Sequence, residues 1–293
     1  MKVLLAEHSG FCFGVRRAIQ LALEANAESE KVCTLGELIH NPQIVQELAE
    51  QGIKACECGT NCPEHTVIIR SHGIAKTLQD ELTSRGNRIV DATCPYVKRA
   101  QELVAANSEH PVFILGDPEH PEVVGLLSYG NELTQVVQAD SVPDNERWKT
   151  LSVISQTTQQ VSDLQKLVEQ LVPRTYELKV FNTICSATEQ RQAASVALAK
   201  RSDLMVVIGG KNSSNTRQLH HLCSAYTSCV HIETEDELQE SWFVGKENVG
   251  LAAGASTPEQ TIVKVYNKIQ KINGEAAAAK NGGDLPLFKE ESC

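Results

Sequence analysis

Three cysteines constrain the possible folds of this chain most strongly, because each lies at the end of a short apolar, strand-like run. Cys12, Cys94 and Cys185 end these runs, and a helical pattern begins within a few residues of each. Their separations, 94 − 12 = 82 and 185 − 94 = 91 residues, are nearly equal. This spacing indicates an internal repeat in which each copy is one supersecondary unit.

Strand-like and helical patterns alternate between the cysteines. Apolar runs at 31–35 and 67–70 are each followed by a polar loop and a helical pattern, and a third run at 88–90 leads to Cys94. The same order recurs before Cys185 and again after it. Such alternation predicts parallel βαβ units with helices on both faces of each sheet. We therefore expect an α/β fold of three pseudo-symmetric βαβ-type domains with mostly parallel sheets.

The N-terminal strand at residues 2–6 has a particular place in this scheme. The first two repeats end with a strand that leads to a cysteine, whereas the third ends in a helix, so the N-terminal strand is left to complete the third sheet. The predicted units are 13–94, 95–185, and 1–12 together with 186–273, arranged around one centre. Residues 274–293 are rich in Ala, Gly and Lys and are expected to form a flexible tail.

The composition favours a cytoplasmic globular protein and limits its partners. A net charge of −10 argues against a nucleic-acid or anionic-membrane surface. No apolar run is long enough for a transmembrane helix, and the N-terminus lacks the apolar core of a signal peptide. Ten cysteines in a chain expected to be cytoplasmic point to metal binding or catalysis rather than to disulfides.

Three matched cysteines predict an open metal cluster rather than a closed one. A structural zinc site or a common ferredoxin cluster has a full set of protein ligands. Three thiolates on a 4Fe–4S cluster would leave one iron free to bind a substrate oxygen, and the wide spacing suits a centre surrounded by the three units. The alternative is three structural thiols, since free cysteine is commonly buried.

Polar loops follow other strands of each unit, at the carboxyl ends where open α/β sheets usually bind ligands. They contain His40 and Asn41, His72, His120, Thr157 and Thr158, Ser213, Ser214 and Asn215, and Ser256 and Thr257. Helix N-termini with neutral hydroxyl, amide and imidazole donors suit a phosphate-type anion. Ordinary helix capping explains any single loop equally well, but several converging loops with three histidines favour a binding site.

Glu122 is the one carboxylate among these loops. A carboxylic acid near a metal and an anion is a candidate proton donor. As an ordinary residue of the first helical turn, it would instead interact favourably with the helix dipole.

A series of specific motifs between residue 10 and about residue 258 resembles the 4-hydroxy-3-methylbut-2-enyl diphosphate reductase (LytB) family. The motifs are Gly10-Phe11-Cys12-x-Gly14-Val15, Gly36-Glu37-Leu38-Ile39-His40-Asn41, Ser71-His72-Gly73, Asp91-Ala92-Thr93-Cys94-Pro95, His120-Pro121-Glu122-Val123, Gln156-Thr157-Thr158, Asn182-Thr183-Ile184-Cys185, Gly209-Gly210-Lys211-Asn212-Ser213-Ser214-Asn215-Thr216 and Ala253-Gly254-Ala255-Ser256-Thr257-Pro258.

The resemblance implies an oxidoreductase of the methylerythritol phosphate route to isoprenoids. Its reaction would be the last step, the reductive dehydroxylation of (E)-4-hydroxy-3-methylbut-2-enyl diphosphate to isopentenyl and dimethylallyl diphosphate. By the same resemblance, Cys12, Cys94 and Cys185 would hold one oxygen-sensitive 4Fe–4S cluster with a Lewis-acidic open iron. Ferredoxin or flavodoxin would supply electrons.

The resemblance also implies roles for the polar loops. The expected diphosphate ligands are His40, His72, Ser213, Asn215 and Ser256, with Ser214 and His120 beside them. Thr157 is also expected to contact the substrate. Glu122 would supply protons, assisted by Thr157 and His120.

Two other functions remain possible from the residues alone. An open-iron dehydratase would use the same site without net electrons. An iron–sulfur redox sensor would need a regulated partner domain or a basic DNA-binding element, and the sequence contains neither.

A separate group of cysteines lies outside the repeat pattern. Cys56, Cys58 and Cys62, with His65 nearby, have the ligand types of a small zinc or second iron site. Their short, irregular spacing favours an adventitious cysteine-rich loop. The remaining cysteines are expected to be structural or free: Cys33, Cys223, Cys229 and Cys293.

Overall fold

The computed structural model describes residues 1–29, 31–56, 66–142, 146–274 and 284–288. Within these residues the strands form three sheets, and every strand pairing is parallel. Helices connect the strands, so the predicted α/β fold with three parallel sheets is confirmed. None of the helices formed by these residues combines the length and apolar character needed to cross a bilayer.

The elements alternate along the chain. The strands are β1 (Lys2–Ala6), β2 (Val32–Leu35), β3 (Lys54–Cys56), β4 (Thr66–Ile69), β5 (Arg88–Asp91), β6 (Val112–Leu115), β7 (Thr134–Val137), β8 (Trp148–Ser155), β9 (Thr175–Phe181), β10 (Leu204–Ile208), β11 (Ser228–Ile232), β12 (Asn248–Ala253) and β13 (Leu287–Phe288). The helices are α1 (Phe13–Glu28), α2 (Pro42–Glu50), α3 (Lys76–Ser84), α4 (Pro95–Ala106), α5 (Pro121–Leu127), α6 (Val161–Leu171), α7 (Ser186–Ala199), α8 (Ser214–Ser224) and α9 (Glu259–Ile272).

The three sheets share one strand order. The first is β3-β2-β4-β5, the second is β7-β6-β8-β9, and the third contains β11-β10-β12-β1. Strand β1 therefore takes the place in the third sheet that β5 and β9 take in the others. It pairs with β12, with Lys2 opposite Asn248 and Leu5 opposite Leu251. The prediction that the N-terminal strand completes the third sheet is confirmed.

Strand β10 of the third sheet is apolar without interruption because both of its faces are covered. Val206 and Ile208 of β10 pack into a cluster with residues of α9 such as Ile269. The intervening Met205 and Val207 pack on the other face of the sheet with side chains that α7 and α8 supply. A strand covered on both faces loses the polar alternation of a half-exposed strand.

The contacts between residues divide the chain into two compact units. The first unit consists of Met1–Phe13, His40–Ile44 and Ser186–Cys293 and contains the third sheet; the second consists of Gly14–Ile39 and Val45–Cys185 and contains the other two sheets. Within the second unit, the N–H of Lys76 at the start of α3 donates to the Ser128 hydroxyl after α5 at 2.9 Å. The predicted division into three domains, and their arrangement around one centre, stay predictions.

Residues 284–288 differ from the flexible tail expected over 274–293. Leu285 is buried, and the N–H of Leu5 donates to the Pro286 carbonyl at 2.9 Å. Strand β13 pairs in parallel with β1, with Leu5 opposite Leu287. The outer edge of β1 would otherwise present unpaired backbone groups, and this apolar segment covers them. The expectation of flexibility is therefore wrong for these residues.

Candidate functional site

The same backbone hydrogen bond anchors each of the three repeat cysteines. The N–H groups of Cys12, Cys94 and Cys185 donate to the carbonyls of Ala255 (3.1 Å), Ser71 (2.9 Å) and Thr157 (2.9 Å), respectively. The strands that lead to the cysteines are β1, β5 and β9, and they pair with β12, β4 and β8, respectively. In every case the acceptor is the second residue after the end of that paired strand. Each repeat thus holds its cysteine against the polar loop that follows the neighbouring strand.

The thiols of these three cysteines suit metal binding. None is in a disulfide, and all three are partly exposed, whereas Cys33 and Cys223 are buried. Each cysteine directly precedes or caps a helix, and Pro95 begins α4 immediately after Cys94. Thiolates are the preferred ligands of iron–sulfur clusters and other soft metal centres.

A second set of loops occupies equivalent positions after β2, β6 and β10. His40, His120 and Ser213 are each the fifth residue beyond their strand (35 + 5, 115 + 5 and 208 + 5). The loops cap the following helices through hydrogen bonds from Ile44 N–H to Asn41 Oδ1 (3.1 Å), from Glu122 N–H to His120 Nδ1 (3.1 Å), and from Thr216 N–H to Ser213 Oγ (3.4 Å). Ordinary capping, the alternative to ligand binding, is therefore present in all three loops.

Capping and ligand binding are compatible at His120 and Ser213 but not at Asn41. A neutral His120 that accepts at Nδ1 carries its proton on Nε2, which leaves a donor on the other side of the ring. Ser213 accepts through its oxygen and keeps its own O–H for donation. The amide of Asn41, in contrast, also donates to the Ser256 carbonyl at 2.9 Å, so both ends of this side chain hold the fold.

Asn215 is the strongest sign of a ligand in the first unit. Its side chain is buried, and among the described residues neither its amide nitrogen nor its amide oxygen has a hydrogen-bond partner. A buried amide without partners is rare in native structures and points to a missing polar partner such as a ligand. The adjacent Ser214 is also buried. The Ser256 hydroxyl differs, because it donates to the His40 carbonyl at 3.0 Å.

Glu122 is the chemically most unusual group of the second unit. Only 1% of it is exposed. The N–H of Thr157 donates to Oε1 at 2.7 Å, and the Thr157 hydroxyl donates to Oε2 at 2.8 Å. Burial raises the pKa of Glu122 from an ordinary 4.5 to about 7, although the two hydrogen bonds from Thr157 favour the carboxylate and oppose the shift. Near neutral pH this carboxyl can both give and take a proton.

Thr157 and His120 contact this acid directly, and His72 contacts the ring of His120. Thr157 binds Glu122 through its N–H and its hydroxyl, while its carbonyl accepts from the N–H of Cys185. The rings of His72 and His120 meet edge to face, with centroids 5.4 Å apart. The second unit therefore brings the predicted residues Glu122, Thr157, His120 and His72 together beside the loop of one cysteine.

Sequence reasoning missed two arginines near the cysteines. Arg17 donates to the backbone carbonyls of Thr93 and Asp91, just before Cys94. Arg191 is buried and donates to the carbonyl of Gly10. The one signal in the sequence is their position, a few residues after Cys12 and Cys185, respectively.

The additional cysteines are only partly described. Cys58, Cys62, His65 and Cys293 lie outside the described residues. The Cys56 thiol lies 3.2 Å from the Cys33 thiol on the adjacent strand. Cys223 is buried, and its hydrogen bond with Cys229, together with burial, raises the pKa of the Cys223 thiol. Whether the cysteine-rich segment binds a metal stays a prediction.

Comparison with known proteins assigns the family. A family model described as LytB protein matches residues 3–270. The chain belongs to the LytB family. A relative from Trichlorobacter lovleyi, named 4-hydroxy-3-methylbut-2-enyl diphosphate reductase, is 44% identical over 277 residues, which cover 93% of this chain and 99% of that protein. A relative of the same name from Geotalea uraniireducens is 43% identical, with coverages of 93% and 98%.

Solved structures agree with this assignment. One, described as (E)-4-hydroxy-3-methyl-but-2-enyl diphosphate reductase, the terminal enzyme of the non-mevalonate pathway, is 40% identical and has a TM-score of 0.66; the match covers 92% of this chain and 100% of that one. The E-1-hydroxy-2-methyl-but-2-enyl-4-diphosphate reductase from Plasmodium falciparum is 25% identical with a TM-score of 0.82, and the match covers 92% and 86%. The family resemblance of the sequence motifs is confirmed.

The raised pKa of Glu122 predicts a pH-dependent stability. The folded chain binds this proton more tightly than the unfolded chain, so stability falls as pH rises from 4.5 to about 7 and then levels off. Across this window the loss amounts to about 3 kcal/mol, at roughly 1.4 kcal/mol per pKa unit. Urea denaturation of the wild type and Glu122→Gln between pH 4.5 and pH 8 isolates this contribution, because other titrating groups cancel in the difference. A difference that does not change with pH contradicts the raised pKa.

Proposed function

We propose that this chain reduces (E)-4-hydroxy-3-methylbut-2-enyl diphosphate to isopentenyl and dimethylallyl diphosphate. In this reaction the C–O bond to the hydroxyl breaks, two electrons and two protons are consumed, and water leaves. The observation that carries the proposal is a buried carboxylic acid, Glu122, whose pKa of about 7 suits proton delivery at neutral pH. Membership of the LytB family and the names of its relatives support the same reaction.

We assign Cys12, Cys94 and Cys185 as the ligands of one 4Fe–4S cluster. The donor set fits this group: three partly exposed thiols occupy equivalent positions in three repeats, and each backbone is held by the same hydrogen bond. When bound, such a cluster supplies electrons and a Lewis-acidic iron without a protein ligand.

The diphosphate is bound by neutral donors in this proposal. Asn215 is the best supported of them, because its buried amide has no hydrogen-bond partner among the described residues. Ser213 keeps its O–H for donation after capping α8, and Ser214 is buried beside it. His40, His72 and Ser256 complete the set; Ser256 must turn its hydroxyl away from the His40 carbonyl to donate to a phosphate oxygen.

Proton delivery follows from the hydrogen bonds around Glu122. The protonated acid donates to the leaving hydroxyl, so that water rather than hydroxide departs. Thr157 then stabilises the carboxylate through its N–H and its O–H until a second proton arrives. His120 contributes the N–H on Nε2, since its Nδ1 accepts from the N–H of Glu122. A carboxyl with an ordinary pKa would be almost fully ionised at neutral pH and a poor acid.

The electrons come from a one-electron carrier protein, and ferredoxin or flavodoxin is the proposed donor. A cytoplasmic location is part of the same proposal. The electron donor is what the family resemblance implies, and the location is an expectation from the sequence.

The assay that tests the reaction is anaerobic turnover with a chemical reductant, with the two diphosphate products measured by mass spectrometry. We expect product from the wild type only when reductant is present. Glu122→Gln keeps the size of the side chain but removes the acid, and should lower kcat by about 100- to 10,000-fold. The exposed Glu119, three residues away, provides the matched control Glu119→Gln, which should retain wild-type turnover.

Three outcomes contradict the proposal. Turnover of the substrate without any reductant identifies a dehydratase instead. Unchanged turnover in Glu122→Gln removes Glu122 from the role of proton donor, as does equal loss in Glu119→Gln.

A second prediction separates substrate binding from folding at two asparagines. Asn215→Ala should raise KM by about tenfold, the effect of losing roughly one good hydrogen bond, with little change in Tm because its amide makes no bond within the described residues. Asn41→Ala removes a helix cap and a second hydrogen bond, so it should lower stability by about 1–2 kcal/mol. Steady-state kinetics and thermal denaturation of both variants test this. A large drop in Tm with unchanged KM in Asn215→Ala contradicts the binding role.

A further inference from the structure

Two arginines hold the backbone just before two of the proposed cluster ligands. In the second unit, Nη1 of Arg17 donates to the Thr93 carbonyl at 3.2 Å and Nη2 donates to the Asp91 carbonyl at 3.4 Å. Thr93 directly precedes Cys94. In the first unit, Nη2 of Arg191 donates to the Gly10 carbonyl at 2.9 Å, two residues before Cys12.

The two arginines occupy related positions in the repeat. Arg17 lies in α1, five residues after Cys12 (17 − 12 = 5), and Arg191 lies in α7, six residues after Cys185 (191 − 185 = 6). In both cases, an arginine of the helix that follows one cysteine donates to the backbone of the loop that precedes another cysteine. This recurrence in separate repeats argues against an accidental surface contact.

The Gly10 loop shows why a guanidinium is useful there. Gly10 has a φ of +92°, a left-handed conformation, and a Cβ at this position would approach Ile262 Cδ1 to 3.3 Å. A tight, buried turn of this kind leaves carbonyls that need donors. Arg191 is only 3% exposed and also donates to the Ala187 carbonyl at 3.1 Å, so one rigid group joins the start of α7 to the Cys12 loop.

Each arginine also brings a permanent positive charge close to a ligand cysteine. Arginine stays protonated in proteins. A nearby cation stabilises the electron-rich state of a metal centre, and charge and hydrogen bonding are among the factors that set the potential of iron–sulfur clusters. Arg17 lines an open pocket of about 220 Å³ that solvent enters, whereas Arg191 is buried. Water screens the charge of Arg17 more strongly, so Arg191 should have the larger effect on potential.

We propose that Arg17 and Arg191 are positioning residues for the cluster: they preset the Cys94 and Cys12 loops before metal binds and favour the reduced state through their charge. This inference rests on the proposed function, because it requires the cluster. Neighbouring cations do not share these contacts. Arg16 is exposed, and Lys98 and Arg99 form ion pairs with Asp91 and Glu102, respectively.

The test compares Arg17→Met and Arg191→Met with Arg16→Met, which removes the same charge one residue from Arg17 at an exposed position. Three quantities are measured on anaerobically reconstituted protein: iron and sulfide per chain, the rate of iron release to a chelator, and the midpoint potential by redox titration. We expect iron release about tenfold faster in both test variants, the lower end of the effect typical for groups that orient metal ligands. The midpoint potential should fall, more in Arg191→Met than in Arg17→Met, while Arg16→Met behaves as wild type.

Arg191→Lys separates the charge from the geometry. This variant keeps the positive charge but loses the planar guanidinium and its paired N–H donors. It should therefore release iron faster than wild type but keep nearly the wild-type midpoint potential. This variant also serves if Arg191→Met fails to fold. A potential in Arg191→Lys as low as that in Arg191→Met contradicts the role of the charge.

The failure of this inference can be told apart from failure of the proposed function. Wild-type protein that takes up no iron contradicts the proposed function and this inference with it. Iron-loaded wild type with unchanged release rate and potential in Arg17→Met and Arg191→Met contradicts this inference alone. Equal changes in Arg16→Met and Arg17→Met would show a general charge effect and overturn the positioning role.

Discussion

The hydrogen bond from each cysteine N–H to the loop beyond the neighbouring strand is the constraint on which the rest of the site depends. It requires parallel pairing, because only parallel strands bring their carboxyl ends to one edge of a sheet. The residues that follow the three acceptors, His72, Thr158 and Ser256, come from the loops predicted to contact the substrate. One backbone contact therefore couples the position of a proposed metal ligand to the position of a polar loop in every repeat. In the third sheet, the strand that leads to the cysteine is the N-terminal strand β1, which pairs with β12. The hydrogen bond of Cys12 therefore depends on this pairing.

The burial of Glu122 lowers the stability of the fold near neutral pH and at the same time raises the pKa of its carboxyl. A carboxyl with 1% exposure is costly as an anion, so the fold holds a proton on it that water would otherwise remove. Thr157 limits the cost by donating to both oxygens, and the same residue accepts from the N–H of Cys185. His120 supports the arrangement from the other side by capping the N–H of Glu122. Hydrogen bonds within one unit thus connect Glu122, His120 and the loop of Cys185, and they hold the proposed proton donor in place without a counter-charge.

Most of the fold and part of the site could be predicted from the sequence. Strand-like runs ending at cysteines and the unmatched N-terminal strand led correctly to three parallel sheets, since hydrophobic periodicity is a local property of the sequence. Hydrogen bonds between residues distant in the sequence could not be predicted from the sequence. Arg17 sits on the polar face of α1 and Arg191 in an alanine-rich helix, and nothing nearby in sequence indicates that they contact residues 74 and 181 positions away. The strand at Leu287–Phe288 was missed because it gains its stability only from the edge of β1.

The central claim is that Cys12, Cys94 and Cys185 together hold one iron–sulfur cluster. The most direct measurement is elemental iron, zinc and acid-labile sulfide in anaerobically purified wild type and in the serine variants of these three cysteines, with Cys33→Ser as the control. The account predicts about four irons and four sulfides per wild-type chain, loss in each of the three variants, retention in Cys33→Ser, and no zinc. Iron that persists in Cys94→Ser but disappears in Cys33→Ser, or stoichiometric zinc unaffected by Cys94→Ser, would contradict it and move the metal to the cysteine-rich segment beside Cys56.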